Sequence, residues 1–144
     1  MTMKRIAITA LSVILALSML FTLAACAEDA SSGGLWDNAV YAEDTELGTG
    51  AKTITVEVVV EDKTVTFTVN TDKETVGDAL LEHELIAGDA SEYGLYVKKV
   101  NGITADYDVD KSYWAFYING EYAMTGVDTT AIDVDAKYQL AYSK

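Results

Sequence analysis

The sequence predicts an α+β domain in residues 52–144, with a mixed or antiparallel sheet and one helix. Two stretches that alternate apolar and polar residues, "TITVEVVVE" and "KTVTFTVN", are typical of β-strands, and the short "EDK" between them predicts a hairpin. A helical pattern follows, and more alternating stretches come after it without a long crossover helix. This order of elements predicts one helix packed on one face of a sheet.

The helix is predicted near residues 75–86, with a length of about three turns. Thr75 opens the pattern "TVGDALLEHELIAG", and together with Asp78, three residues later, it resembles a capping box in which Asp takes the place of the stronger Glu or Gln. Apolar residues then recur at helical spacing, and Gly88 lies just beyond the expected end. The core is expected to contain side chains from this helix and from the sheet, namely Val56, Val58, Val65, Phe67, Leu80 and Tyr138.

An aromatic hairpin is predicted in "KSYWAFYINGEYAMTGVD". Asn119 and Gly120 both tolerate the positive φ of a type I′ turn, which would pair Tyr117 with Tyr122. Alternation places Trp114, Phe116, Ile118 and Ala123 on one face, and Tyr113, Ala115, Tyr117, Tyr122 and Met124 on the other. A small domain with one helix does not easily bury both faces, so an exposed apolar face would mark a binding site. The equally compatible alternative is that "LWDNAVY" covers the second face.

Residues 1–25 have the pattern of an export signal. Lys4 and Arg5 precede an apolar run, and small residues precede Cys26. The sequence "LAAC" resembles the lipobox of bacterial lipoproteins, in which the cysteine is lipidated and becomes the mature N-terminus. An ordinary secretory signal and an uncleaved anchor are the alternatives. Since Cys26 is the only cysteine, disulfides and catalytic thiols are excluded. We expect a cell-surface or periplasmic protein, anchored by lipid to the outer side of the cytoplasmic membrane or to an outer membrane.

Residues 26–51 are interpreted as the lipidated cysteine followed by an acidic tether. Serine, glycine and acidic residues dominate this stretch, which is typical of flexible linkers. Trp36 and Tyr41 are unusual in a linker. The segment "LWDNAVY" is therefore either an added strand docked on the domain or a disordered stretch with two exposed aromatic side chains.

The mature chain, residues 26–144, is strongly acidic. Without Lys4 and Arg5 it has 8 basic and 23 acidic residues, a net charge of −15. Such a charge argues against nucleic acid as a partner, and against direct binding to anionic lipid head groups, because like charges repel. We interpret the acidic residues as the soluble surface of an exported domain.

Catalytic and metal-binding patterns are missing from the sequence. It has no Ser-His-Asp pattern, no cluster of histidines and no glycine-rich phosphate loop. His83, the only histidine, is interpreted as a solvated side chain. The acidic residues of "DYDVD" have the spacing of a calcium loop, but Lys111 and Tyr117 occupy the positions that need glycine and glutamate. We expect no enzyme, no metal site and no required cofactor.

Three stretches carry a resemblance to a known family: "YGLYVKKVNGITADYDV", "SYWAFYINGEYAMTGVD" and the closing "YQLAY". They resemble the C-terminal β-domain of transcobalamin and intrinsic factor, and more closely the bacterial family of unknown function grouped with that domain. The resemblance covers residues 52–142 and implies a β-grasp-like fold. It also implies cobalamin or another corrinoid as a bound ligand. The ligand-contacting residues that it implies are Val97, Phe116 and either Ala123 or Met124, depending on where one gap is placed. Leu95 and Trp114 complete the expected ligand-binding set.

The resemblance leaves two functional hypotheses. In the animal carriers cobalamin lies between this domain and a helical barrel, so a second protein is expected to complete the site here. The leading hypothesis is therefore a surface lipoprotein that captures a corrinoid on the apolar face of its β-domain. The alternative is a non-catalytic interaction module that binds a protein partner or a cell-wall component through the aromatic hairpin and an edge strand.

Replacing Cys26 by alanine tests the predicted lipid anchor. Each acyl methylene buried in the membrane contributes about 0.8 kcal/mol, so loss of the lipid should release the chain into the periplasm or the medium. Cell fractionation with immunodetection measures the release. If Cys26→Ala stays with the membrane, the apolar segment is an uncleaved anchor and the lipobox interpretation is wrong.

Overall fold

Alternating apolar residues build the strands of the protein, whose computed structural model describes residues 34–144. The expectations for the export signal and for Cys26 lie outside these described residues. The strands are β1 (Thr45–Leu47), β2 (Lys52–Val60), β3 (Lys63–Thr71), β4 (Ile86–Ser91), β5 (Gly94–Val100), β6 (Ile103–Thr104), β7 (Tyr113–Ile118), β8 (Glu121–Tyr122) and β9 (Lys137–Ser143). The helices are α1 (Val76–Glu82) and α2 (Tyr107–Asp110), with 3₁₀ helices at Leu35–Asn38 and Val127–Thr129.

The strands form two sheets. The larger has six strands in the order β1-β3-β2-β9-β7-β8, and the smaller has three in the order β4-β5-β6. In the larger sheet β2 pairs with β9 and β1 with β3 in parallel, whereas the other pairs are antiparallel. The predicted mixed sheet is therefore confirmed. The smaller antiparallel sheet is an addition that the sequence pattern did not separate from the larger one.

Helix α1 begins where the sequence predicted and ends earlier. The Thr75 side chain accepts a hydrogen bond from the Asp78 main-chain N–H at 3.2 Å, which confirms the N-terminal cap. The helix ends at Glu82 after two turns rather than three, because Glu84 adopts φ 55°, which cannot continue a right-handed helix. A second helix, α2, has four residues where the sequence predicted one helix only. No helix of residues 34–144 is long and apolar enough to cross a membrane.

The core lies on one face of the six-stranded sheet. All six predicted core side chains are buried, which confirms the period-2 interpretation of the strands. Side chains of α1, of the small sheet and of residues 35–41 pack on the same apolar cluster. The opposite face of the sheet carries mostly threonine, glutamate and tyrosine side chains, which are half-buried or exposed.

Residues 35–51 lie on the domain rather than forming the expected tether. The Trp36 Nε1 donates to the Val60 carbonyl at 3.2 Å, and the Tyr41 ring packs edge-on against Phe67 with centroids 5.7 Å apart. The compact unit therefore starts at Leu35 and not at Lys52. The segment "LWDNAVY" docks through a 3₁₀ helix on the core side, while the added strand is β1. It does not cover the second face of the aromatic hairpin.

Asn101, in the turn between β5 and β6, holds this segment in place. Its φ is 50°, and it is 1 % exposed. The side-chain Oδ1 accepts from the Tyr41 main-chain N–H at 2.9 Å, and Nδ2 donates to the Tyr41 carbonyl at 2.8 Å. The Asn101 carbonyl also accepts from the Val40 N–H at 3.0 Å. The Asn101 side chain thus pairs with both main-chain groups of Tyr41, as a neighbouring strand would.

Asn101→Gly should loosen residues 35–41 without straining the turn, since glycine tolerates the positive φ. Loss of two side-chain hydrogen bonds is expected to lower the free energy of unfolding by about 1–3 kcal/mol. Hydrogen exchange of the Tyr41 amide measures the local effect. The matched control is Asn119→Gly, which also sits at positive φ and loses only the bond from the Lys137 N–H. Equal Tyr41 protection in both variants would contradict the proposed clamp.

Candidate functional site

A cleft of about 220 Å³ lies between strand β5 and the β7–β8 hairpin; we call it the β5–β7 cleft. Five of the six expected binding residues line it: Leu95, Val97, Trp114, Phe116 and Ala123. Met124 does not, because β8 ends at Tyr122 and the Met124 side chain is 96 % exposed. The structure therefore brings together residues from two distant segments of the sequence.

Packing against β9 fixes the β7 wall of the cleft. Phe116 lies opposite Leu140, and its ring stacks on Tyr138 with centroids 6.1 Å apart and an interplanar angle of 14°. Trp114 packs edge-on against Tyr142 at 5.6 Å. Trp114 and Phe116 are only 8 % and 9 % exposed, so most of each ring belongs to the core. In this conformation a ligand would meet only the edges of these rings.

The hairpin turn has the predicted geometry. Asn119 and Gly120 have φ values of 51° and 83°, the positive pair that a type I′ turn requires. Tyr117 pairs with Tyr122 as predicted, and the Ala123 N–H donates to the Phe116 carbonyl at 2.9 Å. This bond holds Ala123 at the mouth of the cleft. Beyond Ala123 the chain leaves the sheet.

A carboxylate from a distant segment attaches β5 to the rest of the domain. Asp128, in the 3₁₀ helix Val127–Thr129, accepts from the Leu95 main-chain N–H through Oδ2 at 3.0 Å. Gly94, with φ 106°, leaves room for this carboxylate, because a Cβ there would lie 2.7 Å from Asp128 Oδ1. Sequence reasoning missed Asp128. The glycine before Leu95 was its only local signal.

Two buried polar atoms next to the cleft have no hydrogen-bond partner within residues 34–144. They are the donor Trp114 Nε1 and the acceptor Asp128 Oδ1. A buried polar group without a partner destabilises the fold by about 1–3 kcal/mol. Unpaired groups of this kind are uncommon and call for an explanation. Trp114 lines the cleft, so its indole N–H is a candidate for hydrogen bonding to a ligand once the ring shifts to expose the buried Nε1.

Hydrogen bonds at Ser112 fix the start of β7. The Ser112 hydroxyl and main-chain N–H both donate to Asp110 Oδ1, and the hydroxyl accepts from the Asp106 N–H at 3.0 Å. The bond from the Ser112 hydroxyl, together with that from its N–H, lowers the pKa of the Asp110 carboxyl below its ordinary value. Asp110 is therefore ionised at neutral pH, and it joins the one-turn helix α2 to the strand that carries Trp114.

The side chains that line the β5–β7 cleft are uncharged, whereas acidic residues collect in a separate cavity beside α2. This second cavity contains Asp89, Asp106 and Asp108 together with Lys98. The Lys98 Nζ lies 2.8 Å from Asp89 Oδ2, and the hydrogen bond to Asp89 raises the pKa of Lys98. Asp106 caps α2 by accepting from the Asp108 N–H. In the described part of the chain, no three histidine, cysteine or acidic side chains are grouped to hold a metal ion.

The second face of the hairpin is exposed. Tyr122 is 61 % and Tyr113 is 38 % exposed, and the Tyr117 and Tyr122 rings pack edge-on at 5.6 Å.

His83, interpreted as solvated, is instead half-buried, and its Nε2 has no hydrogen-bond partner in the described chain. It lies next to Gly48 and away from the cleft.

The solved structures that are similar to this domain include the following two proteins. A protein from Ruminococcus gnavus ATCC 29149, described as a candidate metal-binding protein, is 31 % identical over 65 % of this chain and 97 % of its own, with a TM-score of 0.61. Haptocorrin in complex with Cbi is 18 % identical over 68 % of this chain, with a TM-score of 0.48. This chain covers only 27 % of that haptocorrin chain. No curated protein matches.

The family comparison covers the part of the chain that forms the cleft. The matching residues, 73–144, are half of the chain and run from just before α1 to the C-terminus. They include both walls of the cleft and Asp128. The chain therefore belongs to the family described as "Domain of unknown function (DUF4430)".

Proposed function

We propose that this protein is a non-catalytic binding module that receives an apolar group of its ligand in the β5–β7 cleft. The proposal rests on one observation: side chains of β5 and β7 line the same cleft. One of these residues, Trp114, has a buried indole N–H with no acceptor within residues 34–144. Apolar walls with a few directed polar groups are typical of ligand sites. The lining side chains are uncharged and include tyrosine and threonine hydroxyls, which can orient a bound ligand by hydrogen bonds.

A corrinoid is the small molecule to test first. The support is the sequence resemblance to the transcobalamin β-domain, together with the β3-β2-β9-β7 order of the long strands, which suits a β-grasp-like fold. Pockets that enclose a drug-sized ligand measure about 300–1,000 Å³, and the cleft is smaller, at about 220 Å³. A corrinoid would touch it by one edge, so we propose that a second protein covers the remainder.

An interaction module remains the second candidate, because of the exposed tyrosines. Tyr113 and Tyr122 are exposed on the second face of the hairpin and also line the cleft, and tyrosine is a residue type that protein interfaces favour. We further propose, from the export signal and the lipobox, that the module is anchored by Cys26 outside the cytoplasmic membrane.

Metal binding is not part of the proposal. The Ruminococcus gnavus relative is described as a candidate metal-binding protein. In the acidic cavity beside α2, Asp89 pairs with Lys98 and Asp106 caps a helix. Since the described residues also contain no group of three possible metal ligands, the proposed function uses no metal.

Calorimetric titration of the full chain in mild detergent with cobalamin and cobinamide tests the corrinoid hypothesis. Val97→Lys should weaken binding about tenfold or more, because a charge would enter a cleft whose lining side chains are uncharged. Val134→Lys is the matched control. Val134 is 55 % exposed and lies outside the cleft, so this variant should bind the ligand normally. Heat that is unchanged in Val97→Lys would place the ligand elsewhere. No heat from the unaltered chain, with or without a partner protein, would contradict corrinoid binding.

A further inference from the structure

Strand β7 has an open edge beside the β5–β7 cleft. The strand has six residues, but β8 pairs only with Tyr117 and Ile118. Main-chain groups of an antiparallel strand point alternately to its two neighbours. The Phe116 carbonyl accepts from Ala123 on the β8 side, so Trp114, two residues earlier, directs its N–H and carbonyl to that side as well. No strand within residues 34–144 pairs with Trp114 there.

The Trp114 side chain adds a third hydrogen-bonding group at the same place. The side chain is more than nine-tenths buried, and its Nε1 has no acceptor among the described residues. By contrast, the other tryptophan, Trp36, donates its Nε1 to the Val60 carbonyl. One residue in the cleft thus offers a main-chain donor, a main-chain acceptor and an indole donor. A peptide main chain carries the complementary C=O and N–H groups at regular spacing.

The size of the cleft favours an extended chain over a compact small molecule. At about 220 Å³ it lies below the volume that encloses a drug-sized ligand. A peptide that adds to a sheet edge obtains affinity from main-chain hydrogen bonds, and it needs pockets only for alternate side chains. Val97 and Phe116 offer one such apolar pocket next to the open edge.

The charge of the chain favours a basic partner. The mature sequence has 8 basic and 23 acidic residues. Exposed Glu92 and Glu121 flank the strands that line the cleft, while Lys98, the basic residue next to Val97, is paired with Asp89. The acidic surface of this chain would therefore speed the association of a basic partner and repel acidic competitors.

We propose that the β5–β7 cleft binds an extended, basic peptide segment of a partner protein, which adds as a strand to the open edge of β7. Main-chain groups of the peptide pair with the Trp114 N–H and carbonyl, one peptide carbonyl accepts from Trp114 Nε1, and one apolar side chain enters the cleft. This inference rests on the proposed binding role of the same cleft and specifies its ligand.

Three synthetic probes test the proposal on the full chain in mild detergent. The first is a capped heptapeptide that alternates lysine and valine; the second replaces lysine by glutamate. The third is the lysine peptide with every main-chain N–H methylated, which keeps its charge and side chains but cannot donate to a sheet edge. Nitrogen-15 NMR follows the Trp114 main-chain and indole signals. The lysine peptide should shift both signals, and the other two should bind at least about tenfold more weakly.

Trp114→Phe and Trp36→Phe form a matched pair of variants. Each removes one indole donor and keeps an aromatic ring. Trp114→Phe should lower the affinity for the lysine peptide about two- to tenfold, the range expected for one hydrogen bond. Trp36→Phe should leave this affinity unchanged, because Trp36 is bonded to Val60 outside the cleft. If Trp114→Phe does not fold, strand addition is still tested by comparing the methylated and unmethylated lysine peptides on the unaltered chain.

The outcomes separate this inference from the proposed function. Equal binding of the methylated and unmethylated lysine peptides would overturn strand addition. A shift of the Trp114 signals by cobalamin, with none by the peptides, would overturn the inference and support the proposed binding site. A response to neither cobalamin nor the peptides would contradict both.

Discussion

The parallel pairing of β2 with β9 is the constraint on which the rest of the fold depends. The register runs from Thr55 opposite Lys137 to Val59 opposite Ala141. Parallel neighbours cannot be joined by a tight turn, so the chain between them must cross a face of the sheet before it returns. The chain crosses the face that carries the apolar side chains of both strands, where Val56, Tyr138 and their neighbours are buried. Helix α1 and the small sheet are therefore packed on the same side.

The same constraint creates the cleft. Strand β9 pairs with β2 on one side, so β7 must take the other side and becomes almost an edge strand, since β8 covers only two of its residues. Strand β5 belongs to the small sheet and is attached by the Asp128 carboxylate instead of by a ladder of main-chain bonds. The two sheets approach without joining. Apolar side chains and unpaired main-chain groups therefore meet at this seam, which is the combination that a binding site needs.

Local patterns predicted the parts of the structure that depend on local physics. Alternation identified β2 and β3, and the Asn119-Gly120 pair identified the hairpin turn whose register brings Phe116 and Ala123 together. Five of the six residues expected at the site line one cleft, although Val97, Phe116 and Ala123 were expected there from a resemblance and not from spacing. What could not be predicted depends on contacts between distant residues. Asn101 binds Tyr41 across 60 positions and Asp128 binds Leu95 across 33, so neither bond has a local pattern. The early end of α1 depends on the positive φ of Glu84, which its residue type does not suggest.

The central claim is that the edge of β7 is open at Trp114, and main-chain hydrogen exchange in the unliganded chain tests it most directly. The Ala115 and Tyr117 amides face β9 in the ladder, whereas the Trp114 amide faces the open edge on the β8 side. We therefore expect Trp114 to exchange much faster than Ala115 and Tyr117, although all three lie in one strand of a buried core. Protection of Trp114 equal to that of Ala115 and Tyr117 would show that the edge is already paired, and would contradict the claim.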